Sequence, residues 1–234
     1  MLAGGYSIEM KDVKRRYHAP QREARAAATR RRILDAARGR LTGAGWTGAT
    51  MTSIASDAGV AVQTVYAVFG SKAAILAALL DELEVAARTP ADGDAGASAN
   101  DPPGELRRVV AFNRRLFELG GELIDVAQGS RAIDPDLSAN VTEGHRRRRE
   151  AQREIVERWA RRGALRVGLS APEALLTLWT MTSPDVHRLA TVDGGITGEV
   201  YETWLVGMLT RQLFGRPVRH ADQLGEGPEN GSTG

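Results

Sequence analysis

The stretch TMTSIASDAGVAVQTVYAVFGSK, Thr50 to Lys72, decides how the rest of the chain reads. At helical spacing Met51, Ile54, Ala55 and Ala58 share one apolar face, and Val65, Tyr66 and Phe69 share another. Gly59 stands between them, where a tight helix-to-helix turn needs a residue that tolerates positive φ. Small Ala55 before the turn lets a second helix cross closely, and β-branched Val65 after it fills the crossing. The spacing predicts a helix-turn-helix, whose second helix suits the major groove of duplex DNA. An ordinary pair of short packed helices is the competing reading.

The outward face of the second helix favours the first reading. Val62, Gln63, Thr64 and Ala67 point away from the Val65/Phe69 side, and none is a large hydrophobe. Gln63 can offer donor and acceptor together to an adenine edge, while Val62 or the Thr64 methyl can meet a thymine methyl. The Tyr66 hydroxyl and Thr50, at the first helix's N-cap, suit phosphate oxygens. Ser71 is placed to cap the next helix, whose first amides and Lys72 would face the backbone. With Ser53 and Arg30 the predicted DNA-contact set is Arg30, Thr50, Ser53, Val62, Gln63, Thr64, Tyr66 and Lys72.

From Thr29 to about Glu84 the chain resembles the DNA-binding domain of the TetR (tetracycline repressor) family. The resemblance rests on Thr29-Arg30, Ile33-Leu34, Ala36-Ala37, Gly45, Thr50, Ile54-Ala55, Ala58-Gly59-Val60, Thr64-Val65-Tyr66, Phe69, Ser71-Lys72 and Leu76. Three positions depart from the family pattern. Ala61 replaces a capping Ser or Thr, Ala67-Val68 replace a polar pair, and Ala73 stands where a Glu often follows the lysine. What the resemblance implies is an all-α protein of about nine helices. A three-helix helix-turn-helix domain would precede a C-terminal helical domain for ligand binding and dimerisation.

Composition agrees with such a protein and excludes others. Net charge is only +2, yet residues 11–40 carry 11 Lys/Arg against 3 Asp/Glu. A basic N-terminal end on a nearly neutral body suits a polyanion-binding head. There are no cysteines, so disulfides, thiol nucleophiles and Cys-based metal sites are excluded. The four histidines, His18, His145, His187 and His220, show no ligand spacing, and no metal or cofactor is expected. No apolar run reaches the roughly 18 residues of a membrane span, and the opening MLAGGYSIEMKDVKRR lacks a secretion-signal core. A cytoplasmic protein without a membrane partner is the expectation.

The pattern divides the chain into a basic unstructured arm over 1–20, a helix-turn-helix domain over 21–88, a linker over 89–104, a second domain over 105–215 and a disordered tail over 216–234. In the first domain a long helix ends near Thr42 at Gly43, Gly45 and Gly48, and a fourth helix runs from Ser71 to about Arg88. Beyond the linker, one helix should end at Gly120-Gly121 and another run over 122–132. A polar helix over 135–163 follows. Its pairs Glu143/Arg147, Arg146/Glu150, Glu154/Arg158 and Glu157/Arg161 describe a solvated face, including the Arg146–Arg149 run. Three more helices are predicted over 171–182, 186–192 and 197–214, the last apolar nearly all round.

Residues 171–214 also resemble the C-terminal part of one TetR subgroup, through Ser183-Pro184-Asp185-Val186, Arg188-Leu189 and the Trp204 helix. The resemblance implies a homodimer formed by the last two long helices, with Leu175, Leu176, Trp179, Val200, Trp204, Leu205, Met208 and Leu209 as candidates. It also implies a small hydrophobic effector that changes the separation of two DNA-binding heads. Phe112, Leu116, Phe117, Leu123, Val126, Trp159, Leu178, Trp179 and Met181 are the candidate pocket lining, with intrachain core as the alternative for each. No carboxylate pair, Ser/His/Asp set or phosphate loop points to an enzyme. A helical adaptor docking through the basic run at 146–149 is the remaining alternative. The leading expectation is a repressor that binds palindromic double-stranded operator DNA.

Overall fold

The computed structural model describes residues 7–88 and 101–215, with side chains from Gln21 onward. The expected tail and most of the expected linker lie outside them. The described residues form nine α-helices and no strand: α1 (Ser7–Gly48), α2 (Met51–Ala58), α3 (Val62–Phe69), α4 (Lys72–Ala87), α5 (Pro102–Ser130), α6 (Pro135–Arg161), α7 (Ala171–Met181), α8 (Pro184–Arg188) and α9 (Gly198–Phe214). No single helix among them is long and apolar enough to cross a membrane.

Short polar side chains set the helix starts. Thr50 and Ser53 form a capping box at α2, and Ser170 and Glu173 form another at α7. Ser71, Ser183 and Thr197 cap α4, α8 and α9. Asp134 takes the Leu137 amide at 3.0 Å before α6. Each such cap satisfies an amide that the first helical turn leaves without a partner, a contribution of about 1 kcal/mol.

Two helices differ from the expected bounds. The arm expected to be unstructured over 1–20 is helical from Ser7, in keeping with straight-chain residues such as Glu9, Met10, Lys11, Lys14, Arg15 and Arg16. The same helix passes Thr42 and Gly43 and breaks only at Gly45, whose φ of 68° leaves the helical region. Helix α5 likewise runs through Gly120-Gly121, where a break was expected. Gly120 is buried there for lack of room: a Cβ would lie 2.4 Å from Leu83 Cδ1 of α4.

The chain packs as two compact units, one of residues up to 89 with 115–147, the other of 90–114 with 148 onward. In the first, Ile33, Leu34, Ala37 and Leu41 of α1 meet Ile54, Ala55 and Ala58 of α2, Val65 of α3 and Ile75, Leu76, Leu79 and Leu83 of α4. Leu123 and Ala127 of α5 and Leu137 of α6 join this core. The packing therefore departs from the expected division into 21–88 and 105–215. Helix α4 carries more apolar surface than α1 to α3 cover, and segments of α5 and α6 take up the remainder.

In the second unit Leu106, Val110, Val156, Trp159, Leu178, Tyr201, Leu205, Leu209 and Leu213 form a separate core. The α6 charge pattern also differs from the expected ladder. Of the four expected pairs Glu157–Arg161 forms, at 4.0 Å, while Glu143 and Glu150 meet Arg146 and Arg153 three residues away. Arg147 instead meets Asp81 of α4 at 3.3 Å and Arg158 meets Glu105 of α5 at 2.7 Å. Partners on other helices bind these arginines that one helix face was expected to hold.

Replacing Gly120 with Val should lower stability by about 1–3 kcal/mol through overpacking against Leu83, read as a reduced midpoint in urea. Gly121→Ala, with open space around its Cβ position, should leave that midpoint the same or slightly higher.

Candidate DNA-binding site

The site begins with the turn. Gly59 has φ 62° and ψ 41°, the left-handed conformation that side chains with a Cβ resist. Its amide donates to Ser56 O at 3.1 Å, and the Val60 amide donates to Ala55 O at 3.0 Å, closing the end of α2. Arg32 of α1 completes the cap: its Nε donates to Ala58 O and its Nη2 to Gly59 O, both at 3.0 Å. Arg40 of α1 forks onto Asp57 of α2, Nη2 to Oδ1 at 2.7 Å. That hydrogen bond holds the Asp57 carboxyl below, and the Arg40 guanidinium above, the ordinary value.

These arginines hold α2 against α1, and Val65, fully buried, fixes α3 across α2. Helix α3 starts at Ala61 with no side-chain cap. Its unburied face presents Gln63, Tyr66, Ala67 and Val68 to solvent, while Val62 and Thr64 are half-buried. The Tyr66 ring is 53% exposed, large for an aromatic residue with no packing role on that side. Exposed Arg30 lays its guanidinium 4.6 Å from the Phe69 ring, at the far end of the same helix. The outward atoms are thus an amide, hydroxyls and a cation. They can donate to and accept from base edges and phosphates.

Three of the expected contacts are engaged elsewhere. Thr50 Oγ1 accepts from the Ser53 amide at 3.0 Å, and Ser53 Oγ donates to Thr50 O at 2.9 Å, so both side chains serve the capping box. Lys72 departs furthest from the expectation. Its ammonium donates to Trp46 O and, at 2.8 Å, to Ala49 O, and lies 4.1 Å from the Trp46 ring centroid. It closes the end of α1 rather than reaching outward, and burial pushes its pKa down. Arg32 and Arg40 escaped the sequence reading because a basic residue on a long polar helix gives no sign of which carbonyl or carboxylate it will meet. Among the described residues no group of three or more His, Asp or Glu side chains is placed to hold a metal.

Residues 33–79, the span of this arrangement, match the family described as bacterial regulatory proteins, tetR family. The likeness to that family is carried by these residues, which hold the turn at Gly59 and helices α2 and α3. Solved structures agree over the fold as a whole. NalD from Pseudomonas aeruginosa, the secondary repressor of the MexAB-OprM multidrug efflux pump, superposes with a TM-score of 0.65 at 18% identity, covering 80% of this chain and 95% of NalD. The transcriptional regulator FadR from Bacillus subtilis, solved with stearoyl-CoA, gives 0.62 at 20% identity over 76% of this chain and 96% of its own. The fatty acid degradation regulator FadR from Bacillus halodurans gives 0.61 at 19% identity over 77% and 93%. No curated protein matches the sequence. The family and these neighbours are transcriptional regulators, not enzymes.

Within the TetR-type fold the C-terminal candidates separate by burial. Leu175, Leu205 and Leu209 are sealed in the second core and are not available to another copy, because each faces its own chain. Leu176, Val200 and Trp204 are exposed at 57%, 54% and 46%, and Met208 is half-buried. The candidate pocket residues do not all share one unit: Leu116, Phe117, Leu123 and Val126 belong to the first, and Phe112, Trp159, Leu178, Trp179 and Met181 to the second. Trp159 and Leu178 are fully buried. Trp159 donates to Glu105 Oε2 at 2.6 Å and meets the Phe214 ring edge-on at 5.0 Å, so it is structural.

Lys72→Met should behave as a stability variant. Losing the donor leaves the Trp46 and Ala49 carbonyls short of a partner, a cost of about 1–3 kcal/mol, measured as a lower melting temperature by circular dichroism.

Proposed function

We propose that the protein is a repressor that binds a palindromic operator as a homodimer and is released by a small-molecule effector. The observation that carries the DNA-binding part is the division of α3 into two faces. Val65 is wholly buried while Gln63 and Tyr66 stand in solvent, so the helix is fixed on one side and open to a groove on the other. Gln63, Thr64 and Val62 read base edges; Tyr66 and Arg30 contact phosphate. Thr50 and Ser53 contribute through the α2 amides that their capping box orients.

Dimerisation is supported by Leu176 on α7 and Val200 and Trp204 on α9, large apolar side chains left in solvent by their own chain. In a dimer so formed two copies of α3 would meet half-sites roughly 34–36 Å apart. NalD is a repressor and one FadR structure holds an acyl-CoA, which supports repression and effector release as the mode of action here.

Gel shifts with the protein's own upstream region test the reading. Affinity should fall steeply and log-linearly with salt, as phosphate neutralisation requires. Gln63→Ala should relax preference at one base pair by about 1–3 kcal/mol, whereas Tyr66→Phe should weaken all sequences alike. Uniform loss with Gln63→Ala would remove its base-reading role. In sedimentation, Trp204→Glu should convert dimer to monomer while the helical circular dichroism signal is retained; an unchanged dimer would place the interface elsewhere.

A further inference from the structure

The second unit holds a polar cluster that its packing does not explain. Gln152 of α6 and Tyr201 of α9 are only 3% and 1% exposed, yet Gln152 Oε1 and the Tyr201 hydroxyl have no hydrogen-bond partner. Buried polar atoms are nearly always satisfied, because stranding one costs about 1–3 kcal/mol. Two in one unit call for a missing partner.

Arg148 lies among them, four residues before Gln152 on α6. Its Nη1 donates to Thr182 O at 2.8 Å and its Nη2 to Trp179 O at 3.0 Å. The Gln152 amide donates to Thr182 Oγ1 at 2.9 Å, which ties both side chains to the end of α7. The Trp179 ring lies 5.3 Å from the guanidinium. Arg148 makes no ion pair with a carboxylate among the described residues. A guanidinium has five N–H donors, so two carbonyl bonds leave three unspent. Burial pulls the Arg148 pKa down to about 10, with Asp185 and Tyr201 acting against the shift. Burial likewise pushes the Tyr201 phenol up to about 12. At neutral pH the cluster therefore presents a cation and a phenolic O–H donor, both short of an acceptor.

On the Tyr201 side the cluster adjoins the apolar core of the unit. Leu178 and Leu205 are buried, and Met181 and Val186 pack against the same core. Arg148 and Trp179 are only half-buried, so the cluster meets solvent at the guanidinium, while Gln152 Oε1 and the Tyr201 hydroxyl lie inside it.

The geometry points to this cluster as the recognition point for the carboxylate of a small organic acid with an apolar body. Arg148 and the Tyr201 hydroxyl donate to the carboxylate, and Gln152 Oε1 accepts from a hydroxyl or amide beside it. This assignment rests on the effector reading above and gives the effector its chemical class. The Arg148 run at the sequence level reads as a solvated face; the guanidinium turned into the unit is what sets it apart from Arg146 and Arg149.

The test titrates octanoate, 3-hydroxyoctanoate and octan-1-ol into the full-length protein, reading melting temperature and binding calorimetry. Both acids should bind and raise the melting temperature, and the alcohol, of like size but uncharged, should do neither. Tyr201→Phe, which conserves shape, should weaken octanoate several-fold. Arg148→Met should weaken it about ten- to hundredfold, the worth of hydrogen bonds to a charged group. Gln152→Glu, which sets a carboxylate four residues from Arg148, should abolish octanoate binding while the protein stays folded. Equal response to acid and alcohol, no response to either acid, or full binding by folded Tyr201→Phe and Gln152→Glu proteins would overturn the assignment. A gel shift run alongside separates it from the effector reading. Octanoate that binds at Arg148 and leaves the DNA complex intact keeps the carboxylate site and removes release by effector.

Discussion

One backbone conformation governs the N-terminal domain: the left-handed turn at Gly59. With φ at 62°, the chain reverses within a single residue and delivers α3 across α2 at the place where Ala55 is small enough to admit Val65. Strain of about 1–2 kcal/mol would attach to a side chain there, and any longer connection would let α3 swing. Because Val65 is sealed and the turn is short, the exposure of Gln63 and Tyr66 follows without further instruction. The face that meets solvent is whatever the crossing leaves over.

Basic residues do more of the packing than the charge count suggests. Arg32 caps α2 from α1, Arg40 holds Asp57, Lys72 closes α1, and Arg148 gathers the end of α7. Arg115 donates to Ala87 O at 2.8 Å and so closes α4. In each case a long side chain lies along apolar surface and spends its charged end on the carbonyls or carboxylates of a neighbouring helix. A basic N-terminal end is therefore only partly a surface for polyanions. Arg30 is one cation left outward, lying over the Phe69 ring.

Local signals were legible in proportion to how local their causes are. The turn at Gly59, the caps at Thr50 and Ser71, and the missing cap at Ala61 each depend on a few adjacent residues, and the sequence displays all of them. What was not legible depends on partners far along the chain. Gly120 looks like a helix breaker until Leu83 is seen pressed against it. Arg147 and Arg158 look like members of a helical charge ladder until Asp81 and Glu105 come within reach. Lys72 looks outward-facing because its carbonyl partners, those of Trp46 and Ala49, leave no mark in the sequence. The division between units was hidden for the same reason, since composition marks the segment near 89–104 but not the packing of Leu123, Ala127 and Leu137.

The second unit inverts the usual distribution in a way that the first does not. It buries Gln152, Thr182, His187 and Tyr201 while it leaves Leu176, Leu189, Val192, Val200 and Trp204 in solvent. Exposed hydrophobes taken singly need no explanation, and neither does a buried polar group with its partners in place. The combination is different, because each half of it asks for something the chain does not supply. An apolar surface on α7 and α9 lowers its free energy by excluding water against another surface. A stranded phenol and amide oxygen lower theirs by gaining a donor or acceptor from outside. Helices α7 and α9 carry both features, with Leu176 and Trp204 outward and Leu178 and Tyr201 inward, so whatever fills the polar cluster bears on the same two helices that present the apolar face. A change at Tyr201 is three residues, less than one helical turn, from Trp204.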